Sequence, residues 1–243
     1  MATHFARGIL SYPHNLSPRL SAQALKYSQQ LPPHKRNRFL ASRSLLAELM
    51  FMLYGIAVLP EITVEQGRPR FVGEELPDFS VAYAGNCAGV VVATEGKCGL
   101  DMELQRTIMN SPTEREGLTS NEIIWINNQT DPKEAWVQIL AVRQSLGKLI
   151  GQPNDITHEL QLLPGVGRLR FAPMALVEAI CDAEDLLVWS VAGAPAAERL
   201  KLWEFNTVSG WRVLKDLQER AHGPDTRLMR FTSMSSDKAL IIK

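Results

Sequence analysis

The run Gly89-Val90-Val91-Val92-Ala93-Thr94, the turn Glu95-Gly96-Lys97 and the stretch Gly99-Leu100-Asp101-Met102-Glu103-Leu104 constrain this chain more than any other feature. β-Branched side chains pack well on a pleated surface and Glu-Gly-Lys supplies turn chemistry, so the pair reads as a β-hairpin. On the second strand side chains alternate, which puts Asp101 and Glu103 on one face and Leu100, Met102 and Leu104 on the other. Two carboxylates about 6–7 Å apart on a stiff strand suit a hard cation such as Mg²⁺, which also binds phosphate oxygens. A solvated strand face above a packed one gives the same pattern, so the residues alone leave both readings open.

The 243 residues suffice for one large domain or two small ones with a proper core. Lysine plus arginine and aspartate plus glutamate number 26 each, so no global field favours nucleic acid or a membrane surface. An anion site has to be local. Three cysteines without a C-x-x-C pair indicate neither a disulfide framework nor a zinc site. The first residues lack the apolar core of a signal peptide, and the most apolar stretch, residues 45–60, is too short to span a bilayer. A cytoplasmic monomer is expected.

Phe5 to Leu10 reads as a short strand, and residues 11–33 as a proline-bearing stretch around a short helix near Ala22 to Gln30. Pro33 opens a long helix whose apolar positions include Phe39, Leu46, Leu49, Met50 and Leu53, with Lys35, Arg36, Arg38 and Arg43 in its first half. Those cations suit either a solvated face or phosphate oxygens. Residues 65–71 form a turn with Arg68 at its tip, and Pro77 to Asn86 a strand that delivers the chain to the hairpin. Residues 107–120 are polar and read as a mobile loop, after which Thr119-Ser120-Asn121-Glu122 has the form of a capping box. A second long helix runs from Pro132 to Gly151, with Gln144 and Lys148 on one face. The remainder reads as β-rich, with strands at 167–171, 175–181, 186–192 and 200–205, and with residues 211–243 as an extension of uncertain order. Helix, strands and hairpin recur in both halves, which suggests a duplicated α+β unit. Glycine-rich phosphate loops, H-E-x-x-H and G-x-S-x-G are absent from the sequence.

Five stretches together resemble the 4′-phosphopantetheinyl transferase superfamily, in its two-lobed, single-chain Sfp-like type. Gly99-Leu-Asp-Met-Glu103 is similar to the family's G-[VIC]-D-I-E strand, Gln66-Gly-Arg-Pro69 to its G-K-P turn, and Phe79-Ser-Val-Ala-Tyr-Ala84 to F-N-[IL]-S-H-S. Arg38 to Leu46 resembles the helix R-x-x-A-x-R-x-L-L, and Leu140 to Gly151 stands where the family has W-[ST]-x-K-E-A-x-x-K-x-x-G. Lys133-Glu134-Ala135 spells K-E-A but lacks the second lysine, since Gln138 stands in its place, and the glycine. The alignment through Arg143-Gln144-Ser145 keeps Lys148 and Gly151 in register.

The resemblance implies an α+β fold of two similar lobes related by a pseudo-twofold axis, each a small antiparallel sheet on a long helix. These would be residues 1–106 and 107–210, followed by an extension, 211–243. It implies transfer of 4′-phosphopantetheine from coenzyme A to a serine of an acyl or peptidyl carrier protein, with Mg²⁺ on Asp101, Glu103 and Gln144. Lys148 would reach a phosphate, while Arg38, Arg43, Arg68, Ser80 and Tyr83 would hold coenzyme A. Neither nucleic acid nor membrane is expected as a partner.

Three positions depart from the family pattern: Tyr83 replaces its histidine, Arg143 its lysine and Gln144 its glutamate. An amide offers a carbonyl oxygen to Mg²⁺ but takes no proton at neutral pH, so Glu122 is the alternative catalytic base beside its plain reading as a helix cap. A transferase-derived protein that binds coenzyme A or a carrier without catalysis is the alternative function. An unrelated two-lobed protein with Asp101 and Glu103 on its surface is a third.

Overall fold

Alternating apolar residues and well-marked helix ends build an α+β chain with three sheets and five helices among the described residues, which in this computed structural model are 2–9, 16–105, 117–152, 159–223 and 225–233. The strands are β1 (Ala2–Ile9), β2 (Ile62–Glu65), β3 (Arg68–Phe71), β4 (Asp78–Ala84), β5 (Cys87–Ala93), β6 (Lys97–Leu104), β7 (Leu160–Leu163), β8 (Arg168–Phe171), β9 (Glu178–Glu184), β10 (Leu187–Ala194), β11 (Arg199–Asn206), β12 (Gly210–Val213) and β13 (Met229–Ser233). The helices are α1 (Ala22–Gln29), α2 (Pro33–Tyr54), α3 (Ser120–Asn127), α4 (Pro132–Ile150) and α5 (Leu217–Ala221). Most of the loop read at 107–120, together with residues 10–15 and 234–243, lies outside the described residues.

Local chemistry sets the helix ends. Pro33 occupies the first turn of α2, and Gly55 stops that helix in the left-handed region at φ 69°. The Asp131 carboxylate accepts the Lys133 and Glu134 amides at the start of α4, and Gly151 ends it at φ 80°. The capping box at α3 forms with both of its bonds.

The first sheet has the order β12-β11-β1-β5-β4, the second β6-β10-β9-β13-β8-β7, and β2 and β3 pair alone. Val90 and Val92 join the core under α2, whereas Val91 and Ala93 join the one between the two sheets, with Phe5, Leu100, Met102 and Trp189. Val188 and Ala192 join the core under α4. The molecule is thus layered as α2, first sheet, second sheet, α4.

The expected hairpin does not form. β5 is apolar on both faces and lies between β1 and β4, so neither of its edges is open to β6. The chain crosses at Gly96 to the facing sheet, and β6 pairs with β10 instead, Asp101 opposite Ser190 and Glu103 opposite Val188. A reciprocal crossing follows β10, because β11 pairs in parallel with β1 of the first sheet. The described part of the C-terminal stretch carries β12, α5 and β13. β12 extends the first sheet, and β13 sits between β9 and β8 in the second.

Candidate functional site

Three glycines of the motif strand and its neighbours are dictated by close packing. A Cβ on Gly99 would lie 2.0 Å from the Ser145 carbonyl oxygen and 2.9 Å from the Leu149 nitrogen, so α4 rests directly on the β6 backbone there. Gly67 in the β2–β3 turn and Gly151 at the end of α4 meet backbone to backbone. A Cβ on Gly67 would reach the Gly151 oxygen at 2.6 Å, and one on Gly151 the Gln66 oxygen at 2.1 Å. The turn, the motif strand and α4 are therefore locked together.

Beside this contact Asp101 is buried, and its Oδ1 accepts from Lys148 Nζ at 2.7 Å. The same ammonium donates to the Leu100 carbonyl at 2.9 Å. Asp101 Oδ2 is also buried and has no hydrogen-bond partner among the described residues. Burial raises the Asp101 carboxyl above the ordinary range, while Lys148 and then the Met102 backbone amide pull it back down. Glu103, half-buried on the same face, is pushed up to about 6, first by burial and then by the charge of Asp101, with Lys148 opposing. Gln144 lies one turn before Lys148 on α4, and it is partly buried. The structure therefore brings Asp101, Glu103 and Lys148 together, with Gln144 on the adjoining turn.

Ser80, expected to contact the cofactor, has a structural task here. β6 is an edge strand, and side chains of β4 satisfy its outward amides: Asp78 Oδ2 accepts from the Cys98 nitrogen at 2.8 Å, and Ser80 Oγ from the Leu100 nitrogen at 3.1 Å. Arg68 belongs to the same seam, donating to Asp78 Oδ2 at 2.5 Å and to the Cys98 carbonyl at 3.0 Å. It also lines a cavity of about 220 Å³ with Arg70, Lys97, Glu65 and Glu74.

The other expected coenzyme contacts form a separate cluster on the α2 side of the first sheet. The Tyr83 hydroxyl is 2.6 Å from Ser42 Oγ. Burial raises the Tyr83 phenol, and the Ser42 hydrogen bond, Arg43 and Arg38 pull it down. Arg43 is buried over the rings of Phe39 and Phe79, its Nη1 has no hydrogen-bond partner among the described residues, and burial lowers its pKa. Arg38 is exposed. A buried guanidinium without a counter-charge is costly, so this cluster is chemically suited to an anion.

Glu122, the alternative base of the sequence reading, sits as a helix-capping carboxylate. It is wholly buried; Oε2 accepts the Thr119 amide at 2.6 Å and Oε1 accepts Arg143 Nη1 at 2.6 Å. Arg143 also donates to the Gly117 carbonyl at 2.7 Å, so the pair pins the entry to α3 onto α4. Sequence reasoning set Glu134 aside and gave Gln105 no role, yet Gln105 Nε2 donates to Glu134 Oε2 at 2.6 Å, and Arg227 Nη1 lies 2.9 Å from the same oxygen. Gln105 shares the alternation of Asp101 and Glu103, a signal that was present in the sequence.

Hard oxygen donors, one of them buried and without a partner, fit a single Mg²⁺, which is commonly held by one or two carboxylates with water and phosphate completing its shell. Among the described residues no group of three or more His, Cys, Asp or Glu gathers to hold a metal, so the acid pair stands alone. No helix among them is long and apolar enough to cross a membrane.

Fold and site together define an α+β chain with paired carboxylates on a sheet-edge strand and a lysine from the covering helix. The chain belongs to the family of the uncharacterized protein YieE of Escherichia coli, being 52% identical to the strain K12 protein over 245 aligned positions that cover 98% of each chain. The YieE protein of the O6:H1 strain is similar to the same degree. Over 77 residues, 31% of this chain and 36% of the other, it is 34% identical to the 4′-phosphopantetheinyl transferase AcpT of Escherichia coli O157:H7. No family model matches the chain.

Proposed function

We propose that the protein transfers 4′-phosphopantetheine from coenzyme A to a serine of an acyl or peptidyl carrier protein. The observation that carries this reading is Asp101, with one oxygen on Lys148 and the other buried without a partner, beside Glu103 on the strand Gly99 to Glu103. The partial likeness to AcpT supports it. Asp101 and Glu103 would hold Mg²⁺, aided by the Gln144 carbonyl oxygen, and the ion would offset charge building on the pyrophosphate. Lys148 would donate to a phosphate oxygen. Arg43, Arg38 and the Tyr83 hydroxyl would receive a second anionic group of coenzyme A. Gln144 takes no proton, so the serine proton would leave to solvent.

The reading carries with it two lobes, 1–106 and 107–210, an extension 211–243, a pseudo-twofold relation between the lobes, and a cytoplasmic monomer. The order helix, helix and five strands, which runs from α1 to β6 and again from α3 to β11, supports the duplication. The test is incubation with coenzyme A, Mg²⁺ and apo carrier proteins of the fatty-acid, polyketide and peptide types. A phosphopantetheine adduct on the carrier serine is expected, and no adduct on any carrier overturns the reading.

Gln144 favours a second reading, a coenzyme A- or carrier-binding protein without turnover. In that case coenzyme A would raise the melting temperature with no adduct formed, and Gln144→Glu would switch transfer on.

A further inference from the structure

We infer that Lys148 is a resident counter-cation which a divalent ion at Asp101 has to overcome, so that metal affinity is held down by Lys148 and recovered when an anion draws the lysine away. The inference rests on the acid pair being a cation site.

The geometry around Asp101 carries this. Lys148 Nζ is 2.7 Å from Asp101 Oδ1 and 2.9 Å from the Leu100 carbonyl, so the ammonium already occupies the one oxygen of Asp101 that makes a hydrogen bond to another side chain. The remaining oxygen belongs to the same carboxylate, so a cation there sits within a few ångströms of the ammonium, and like charges that close repel strongly in a site partly closed to water. Lys148 is also on a helix whose backbone is clamped at Gly99 and Gly151, which leaves side-chain rotation as its way out. Its side chain keeps 28% of its surface exposed, so an anion arriving from solvent can reach the ammonium. Metal and anion are then linked: an anion that takes Lys148 lowers the repulsion facing the metal, and by reciprocity the metal releases Lys148 to the anion. Glu103 adds negative charge from the same face without a hydrogen-bond partner among the described residues, so the metal gains a ligand that the lysine does not consume.

Mn²⁺, a spectroscopic substitute for Mg²⁺, is titrated by calorimetry into the full chain without any nucleotide. Lys148→Met should tighten Mn²⁺ binding by about tenfold, Lys148→Arg should leave it within about threefold of the unsubstituted chain, and Asp101→Asn should abolish it. Unchanged or weaker binding in Lys148→Met overturns the competition while leaving the metal site intact. Absence of Mn²⁺ binding in every variant overturns the metal site and the competition together. Should Lys148→Met fail to fold, the unsubstituted chain carries the test. Saturating Mn²⁺ should raise the rate at which an amine-reactive reagent labels Lys148, read by peptide mass spectrometry against surface lysines. An unaltered rate overturns the inference.

Discussion

Of the three buried side-chain polar atoms without a hydrogen-bond partner among the described residues, Arg19 Nε, Arg43 Nη1 and Asp101 Oδ2, the last two mark opposite sides of the β4–β6 seam. The Arg43 guanidinium lies over the Phe39 and Phe79 rings near the Tyr83 and Tyr27 phenols, and it makes no ion pair among the described residues, so its charge costs more than it returns in the unliganded fold. Arg43→Met should therefore leave stability unchanged or raise it by up to about 2 kcal/mol, while erasing any rise in melting temperature that coenzyme A brings. Melting curves with and without coenzyme A check both parts. Glu103 works in the opposite sense from a paired carboxylate. Its folded pKa of about 6 lies above the ordinary 4.5, so the folded state holds its proton more tightly, and the associated stability is full below pH 4.5 and lost as pH rises through 6. Without divalent ions, Glu103→Gln should melt higher than the unsubstituted chain at pH 8, and the advantage should vanish below pH 4.5.

At the scale of elements, the alternation of β6 by itself puts Asp101 and Glu103 on one face, and the helix ends at Pro33, Thr119, Asp131 and Gly151 follow from capping chemistry within a few residues of chain. Which strand lies beside which did not follow. β5 and β6 look like a hairpin because their turn is short and their residues are strand-like, but a turn of that kind joins facing sheets equally well when both edges of the first strand are taken. Ser80 likewise looks like a ligand contact in its motif, and acts as the acceptor for an amide on an edge strand. The contact of β6 with α4 depends on Gly99. Gly99→Ala would set a methyl 2.0 Å from the Ser145 oxygen, a backbone atom with little room to retreat. A loss of about 3 kcal/mol in urea unfolding is expected, because overfilled contacts commonly cost that much.

For the whole molecule, the C-terminal stretch decides whether the second sheet is continuous. β13 is paired to β9 on one side and β8 on the other, and Phe231 is buried in the core under α4. Arg220 ties α5 to Asp182 at 2.8 Å and Glu184 at 2.7 Å, and Arg227 reaches Glu134 on α4. Phe231→Ala should cost about 3–5 kcal/mol and lower the unfolding midpoint of the chain as a single transition. A separate early transition for the β7–β8 hairpin would show that the sheet does not act as a unit.

The amino-acid sequence by itself determined four of the five helices and most strands, the facing of Asp101 and Glu103, the capping box at Thr119, and through its motifs the class of chemistry to test. Those features depend on periodicity and on bonds spanning three or four residues, which local order makes visible. Tertiary structure alone decided that β6 and β11 change sheets, that Lys148 meets Asp101, that Gly67 meets Gly151, and that Glu122 is consumed by Arg143. Partners far apart in the chain are chosen by which edges and faces are left open once the sheets have stacked, and no local pattern carries that information.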